Sequence, residues 1–151
     1  MSSSRLTPEQ IQFIDTLADL LGTWSLSPNA ARLYGYLQLM NEPVGLDDIA
    51  RDLDISRSHA HTAARMLEPA GNAKSMSTRG SKRLVYVCGD DPGTPLRRQV
   101  TTLGSMSELI AASASRVATG DALSRLNHLS DFHKRLQEAM QDVTDPPPKR
   151  G

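Results

Sequence analysis

From Thr7 to about Gly22 the apolar positions Ile11, Ile14, Leu17, Ala18 and Leu21 recur at steps of three and four, spacing that gathers them on one face of a helix. Thr7 can cap this helix, Pro8 suits its first position, and Gln10 can reach back to close a capping box. Ser27-Pro28 repeats the start signal, and Ala31, Tyr34, Leu37 and Leu39 follow until Asn41-Glu42-Pro43 ends the pattern. Gly45 can cap a third, short helix carrying Leu46, Ile49, Ala50 and Leu53. Asp54 tolerates the left-handed turn that a sharp helix-turn-helix joint needs. Ser56 caps a fourth helix, which Pro69 and Gly71 end.

On the fourth helix Ala60, Ala64 and Leu67 share one stripe, while Ser58, Thr62 and Arg65 lie nearly opposite and His61 flanks them. Small inward residues let such a helix approach its neighbours closely. From Lys74 to Cys88 the period falls to two. Lys74-Ser75-Met76-Ser77 and Arg83-Leu84-Val85-Tyr86-Val87 read as strands joined across Thr78-Arg79-Gly80-Ser81, with Gly80 free to take a positive φ and Leu84, Tyr86 and Cys88 sharing one face. Four helices followed by a basic hairpin predict a mainly α chain with a small β-hairpin, in the order of a winged helix-turn-helix.

Two long seams follow. Leu96, Val100, Leu103, Ser107, Ile110, Ala114 and Val117 alternate steps of four and three. Thr119-Gly120-Asp121 interrupts the pattern, and Ala122, Leu126, Leu129, His133, Leu136, Met140 and Val143 repeat it. One small winged domain cannot bury two such seams, so they predict a helical hairpin that also pairs with a second protomer. The expected organisation is a disordered tail over 1–6, an N-terminal helix over 7–24 joining the dimerisation and effector region, and a winged DNA-binding domain over 27–92. A dimerisation hairpin over 94–143 and a second disordered tail over 144–151, rich in proline, complete it.

Composition narrows the function. The chain of 151 residues has room for one ordinary core plus an appendage. It lacks an apolar run of the roughly 18 residues that a membrane-spanning helix requires, and Met1 to Leu6 does not read as a signal peptide, so a cytoplasmic protein without membrane partners is expected. Cys88 is the single cysteine, which excludes an intramolecular disulfide and a thiolate zinc site; within its strand it is expected as a small buried hydrophobe. Formal net charge is zero, yet residues 1–55 hold three basic and eight acidic side chains, net −5, and residues 56–98 hold eight basic and three acidic, net +5. Positive charge thus collects where the fourth helix and hairpin lie, which points to a polyanionic partner.

The segments Ala31-Arg32-Leu33-Tyr34-Gly35-Tyr36-Leu37, Leu46-Asp47-Asp48-Ile49-Ala50, Leu53-Asp54-Ile55-Ser56 and Ser81-Lys82-Arg83-Leu84-Val85-Tyr86 resemble the MarR-type winged-helix regulators, more narrowly their GbsR-like branch. The resemblance covers roughly residues 27–88. It implies a homodimeric transcriptional regulator that binds a palindromic operator and is open to modulation by a small-molecule effector; the expected role is that of a repressor.

A recognition helix reads base edges with its N-terminal residues and fixes its register with arginine and lysine on phosphates. Ser58, His59, His61 and Thr62 are the candidates for base contact, Arg57 and Arg65 suit either task, Arg79 at the wing tip suits the minor groove, and Lys82 and Arg83 suit phosphates. Trp24, Tyr34 and Tyr36 are expected to cluster between the first two helices, either as core or as the walls of an effector pocket for an organic cation. His59 and His61, two apart on a helix, point about 200° apart and cannot share an ion. No metal, cofactor or catalytic residue is therefore expected. His133, beside Phe132 on the last seam, is expected as a satisfied core or interface histidine. The rival expectation is a winged-helix protein–protein interaction module without operator binding.

Overall fold

The computed structural model describes residues 4–24, 26–77 and 79–145. Helix α1 spans Pro8–Leu21 and runs into a single 3-10 turn, Gly22–Trp24; α2 spans Pro28–Leu39, α3 Leu46–Leu53 and α4 Arg57–Leu67. Strands β1 (Val44–Gly45), β2 (Ala73–Ser77) and β3 (Leu84–Cys88) form an antiparallel sheet in the order β1-β3-β2, and the long helices α5 (Thr94–Val117) and α6 (Gly120–Thr144) follow. The fold is mainly helical with a small sheet, in the arrangement of a winged helix-turn-helix. The chain divides into two compact units, residues 1–90 and 91–151.

Local chemistry sets the boundaries of the first unit. Thr7 and Gln10 close the capping box in both directions, at 3.1 and 2.9 Å. The Ser27 hydroxyl accepts from the amide of Ala30 ahead of α2. The core gathers Ile14 from α1, Leu33, Tyr36 and Leu37 from α2, and Ile49 and Leu53 from α3, each at most 1% exposed. Each buried leucine or isoleucine contributes about 1.5–3 kcal/mol relative to exposure. Strand β1 was not predicted; it pairs Val44 with Tyr86 and Gly45 with Val85, which fastens the start of α3 to the wing.

One expectation for the N-terminal region needs correction. Residues 1–6 are not wholly a disordered tail: Leu6 packs on the core, and Arg5 donates to the Asp52 carboxylate from its amide at 3.1 Å and its guanidinium at 3.2 Å. Met1 to Ser3 lie outside the described residues. Helix α1 packs on α2 within the first unit, with Ile14 in the core and Phe13 and Leu20 exposed. The Asp52 carboxylate is the buried end of this latch and also accepts from the Tyr36 hydroxyl at 2.7 Å. Burial pushes Asp52 up, but Tyr36 and Arg5 outweigh it and hold the carboxyl below its ordinary value. Burial, with Asp52 alongside, raises the Tyr36 phenol.

In the second unit α5 and α6 lie antiparallel around small and polar residues. Ser107 Oγ donates to the Ser130 carbonyl at 2.8 Å, and Ser130 Oγ donates to the Ser107 carbonyl at 2.9 Å. Val100, Gly104 and Ala114 are buried beside this pair, and Gly104 lies against the Gln137 side chain. The predicted α6 seam holds at Ala122, Leu126, His133 and Met140, which are half-buried, and shifts by one position at its other places. Ser130, Gln137 and Thr144 turn toward α5, while Leu129, Leu136 and Val143 turn outward, because glycine and serine on α5 admit a close, hydrogen-bonded approach instead of a leucine layer. Val117, placed on the α5 seam, is also exposed. Arg97 ties the open end of the hairpin, bonding to Asp91 at 2.6 Å and to the Thr144 carbonyl at 3.0 and 2.8 Å. Thr144 is thus a buried helical residue and not part of a tail; residues 146–151 lie outside the described ones. His133 is half-buried, and its Nδ1 has no hydrogen-bond partner among the described residues.

Candidate nucleic-acid interface

Asp54 turns the chain between α3 and α4 with φ 55°, a left-handed conformation that aspartate tolerates better than most residues. The amide of Ile55 bonds back to Ala50 across the joint at 3.0 Å. Ser56 then opens α4: its backbone is extended, and its hydroxyl accepts from the amide of His59 at 3.0 Å. Such a cap stabilises a helix by about 1 kcal/mol and fixes where its first turn begins.

The start of α4 fixes which sides face in and out. Ala60, Ala63, Ala64 and Leu67 are at most 1% exposed, and the three alanines let the helix pack closely against α2 and α3. Arg57, Ser58, His59, His61, Thr62 and Arg65 are all exposed. No ion pair engages Arg65 among the described residues; the pairing with Glu68 that its spacing allows is not formed.

The wing stands beside this helix. Its strands register Ala73 with Cys88 through Ser77 with Leu84, and Gly80 turns the tip with φ 84°. Ala73 and Tyr86 are buried and anchor it, Cys88 is half-buried against the core, and Leu84 is exposed, so the expected face of Leu84, Tyr86 and Cys88 is only partly covered. Burial raises the Tyr86 phenol; Glu68 adds to the shift and Arg65 opposes it. Arg79, Lys82 and Arg83 are exposed. A groove of about 410 Å³ between helix and wing brings together Asp47, Arg57, His61, Lys82 and Arg83.

One residue of this groove was not singled out from the sequence. Asp47, in the first turn of α3, meets Arg57 Nε at 3.2 Å through one oxygen and Arg83 at 2.9 Å through the other. The signal lay in β1, whose pairing brings the start of α3 to β3, and a two-residue strand leaves no period to read. The charge census shifts as well. Of the eight basic residues counted over 56–98, Arg97 and Arg98 belong to α5, and Lys74 is paired with Asp90 at 2.6 Å.

Among the described residues Trp24, Tyr34 and Tyr36 do not come together as the walls of one pocket. Tyr36 is fully buried with its hydroxyl engaged by Asp52, Tyr34 packs half-buried against the core, and Trp24 is 60% exposed on the 3-10 turn. Residues close in sequence were here divided by the helix period, which turns Tyr34 and Tyr36 about 200° apart. A shallow cavity of about 280 Å³ does lie between α1 and α2, but Asp15, Asp19, Leu26 and Arg32 line it, and none of the three aromatics does. Among the described residues no three His, Cys, Asp or Glu side chains converge on a point where a metal ion could be held.

No known family profile matches the chain, and no curated protein matches it. Among solved structures it is similar to the crystal structure of a transcriptional regulator. That chain shares 20% sequence identity with this one at a TM-score of 0.75, and the alignment covers 91% of this chain and 96% of that one. At this identity the likeness establishes the fold.

Proposed function

We propose that this chain is a sequence-specific DNA-binding transcriptional regulator, a cytoplasmic repressor of the MarR type and GbsR-like branch, acting as a homodimer on a palindromic operator. The observation that carries this reading is the disposition of α4. Its alanines are buried, and a polar side with Ser58, His59, Thr62 and Arg65 is exposed next to a basic wing. Base contact falls to Ser58, His59, His61 and Thr62, and phosphate contact to Arg65, Lys82 and Arg83, with Arg79 entering the minor groove. The likeness to a transcriptional regulator agrees with this reading at the level of fold. Binding, not catalysis, is the activity proposed.

The homodimer rests on a different observation. The hairpin exposes Leu109 at 67%, Phe132 at 53% and Val143 at 82%, apolar side chains that a solitary helix pair would leave in water. A second copy covering them sets two recognition helices against half-sites about one helical turn apart.

The deciding experiment compares the wild type with the combined Arg65→Ala, Arg79→Ala and Lys82→Ala variant on a duplex taken from upstream of its own coding region. DNA affinity is expected to fall by at least about a hundredfold, while the circular dichroism spectrum and self-association are retained. Equal DNA affinity in the two proteins would favour the rival, a winged-helix module that binds protein.

A further inference from the structure

We propose that Asp47 limits the strength of DNA binding: its carboxylate occupies Arg57 and Arg83 and lowers affinity for every duplex, without choosing among sequences. This inference rests on the DNA-binding reading of the same surface and adds to it what sets the strength of that binding.

Three observations carry it. One carboxylate spans two elements, reaching Arg57 on the recognition helix at 3.2 Å and Arg83 on the wing at 2.9 Å. The Asp47, Arg57 and Arg83 side chains are 57%, 65% and 69% exposed, and ion pairs so exposed contribute little to stability, so holding the fold together does not account for the arrangement. Finally, the trio lines the groove between helix and wing together with His61 and Lys82, so the carboxylate stands on the surface offered to a polyanion.

The consequence follows from charge. Together the three side chains carry one net positive charge, where the two arginines alone would carry two. A phosphate that draws either arginine competes with Asp47 for it, and the carboxylate repels the same phosphate. Both penalties arise between the protein and the phosphate backbone, which all duplexes share, so a matched site bears them as fully as an unmatched one. Asp47 therefore does not raise the ratio of matched to unmatched affinity. What it lowers is affinity itself, and with it the number of counterions released on binding. Arg65, Arg79 and Lys82 have no ion-pair partner among the described residues and act at full charge.

The test uses the full chain and two probes, a mixed-sequence duplex and a duplex selected by the wild-type protein from a random pool. For Asp47→Asn, affinity for both duplexes is expected to rise about tenfold at fixed salt. The log-log salt slope is expected to steepen by about 2 to 4 per dimer, the lower figure for one added charge in each protomer and the upper for two released arginines. Asp47→Ala repeats the measurement with a different replacement, and Asp47→Glu, which keeps the charge, is expected to keep the wild-type affinity. A cycle with Arg57→Gln and Arg83→Gln separates release of the arginines from plain repulsion. In that background Asp47→Asn is expected to raise affinity by no more than about threefold. Unchanged or weaker binding by the Asn and Ala variants, a gain confined to the mixed-sequence duplex, or an equal gain with and without the arginines overturns the role of Asp47 and leaves the DNA reading standing. A wild-type protein that binds neither duplex overturns both.

Discussion

In the winged unit Leu33, Tyr36 and Ile49 are sealed from solvent while arginines and histidines stand outside; in the hairpin Ser107 and Ser130 are sealed while Leu109 and Val143 stand outside. Both units are built on amphipathic helices and both leave apolar side chains outside, Leu20 and Trp24 in the first and Leu109 and Val143 in the second, but the large sealed apolar residues cluster in the first. The first unit seals a large apolar cluster and carries a polar, partly basic surface on α4 and the wing. The hairpin holds itself together with a reciprocal serine pair and a close glycine contact, and leaves much of its apolar surface exposed. On the proposed dimer, stability and assembly are separable, each assigned to a different part of the chain.

Substitutions in each unit break or sharpen that contrast. The largest effect is expected for Leu33→Ala in the winged core, a loss of about 2–5 kcal/mol in chemical denaturation, because the cavity adds to the lost transfer energy. Phe132→Ser in the hairpin is expected to act on a different quantity. It weakens self-association in sedimentation equilibrium by about tenfold to a hundredfold, while the stability of the single chain changes by no more than about 0.5 kcal/mol. A large loss of single-chain stability without dissociation would mean that the outward face serves the hairpin alone.

A smaller effect, about 1–3 kcal/mol, is expected for Tyr36→Phe, which removes a hydrogen bond to a buried carboxylate. Its sign with pH is fixed by Asp52, whose carboxyl is held below its ordinary value in the folded state. Stability from this group is present above the unfolded carboxylate range and is lost as pH falls through the folded value, below about pH 4. Removing the Tyr36 hydroxyl raises the folded value, so the acid transition of the variant moves to higher pH. An acid transition that stays in place would show that Asp52 is held by its arginines, Arg5 and Arg51, without help from Tyr36.

The same contrast marks what could be read from the sequence. Start and stop chemistry was legible because it is local. Thr7, Ser27 and Ser56 cap where they were expected to, Asp54 takes the left-handed turn, and Gly80 turns the wing. The outward side of α4 was legible for a related reason, since alanines at helical spacing define an inward stripe. What escaped depended on partners far along the chain. Arg5 was assigned to a tail because nothing near it in sequence shows that Asp52 waits for it, and Asp47 was passed over because its two arginines come from other elements. On α6 a period of three and four fitted two adjacent stripes. Only the serine and glycine of α5 decide that Ser130 faces in and Leu129 out.

The central claim is that the exposed side of α4 and the adjoining wing neutralise DNA phosphates. Fluorescence anisotropy of the purified protein on a duplex from upstream of its own coding region, repeated across salt concentrations, tests it most directly. With about three phosphates neutralised per protomer, the account predicts that the logarithm of affinity falls with the logarithm of salt at a slope of about −5 for the dimer. A slope near zero would contradict it.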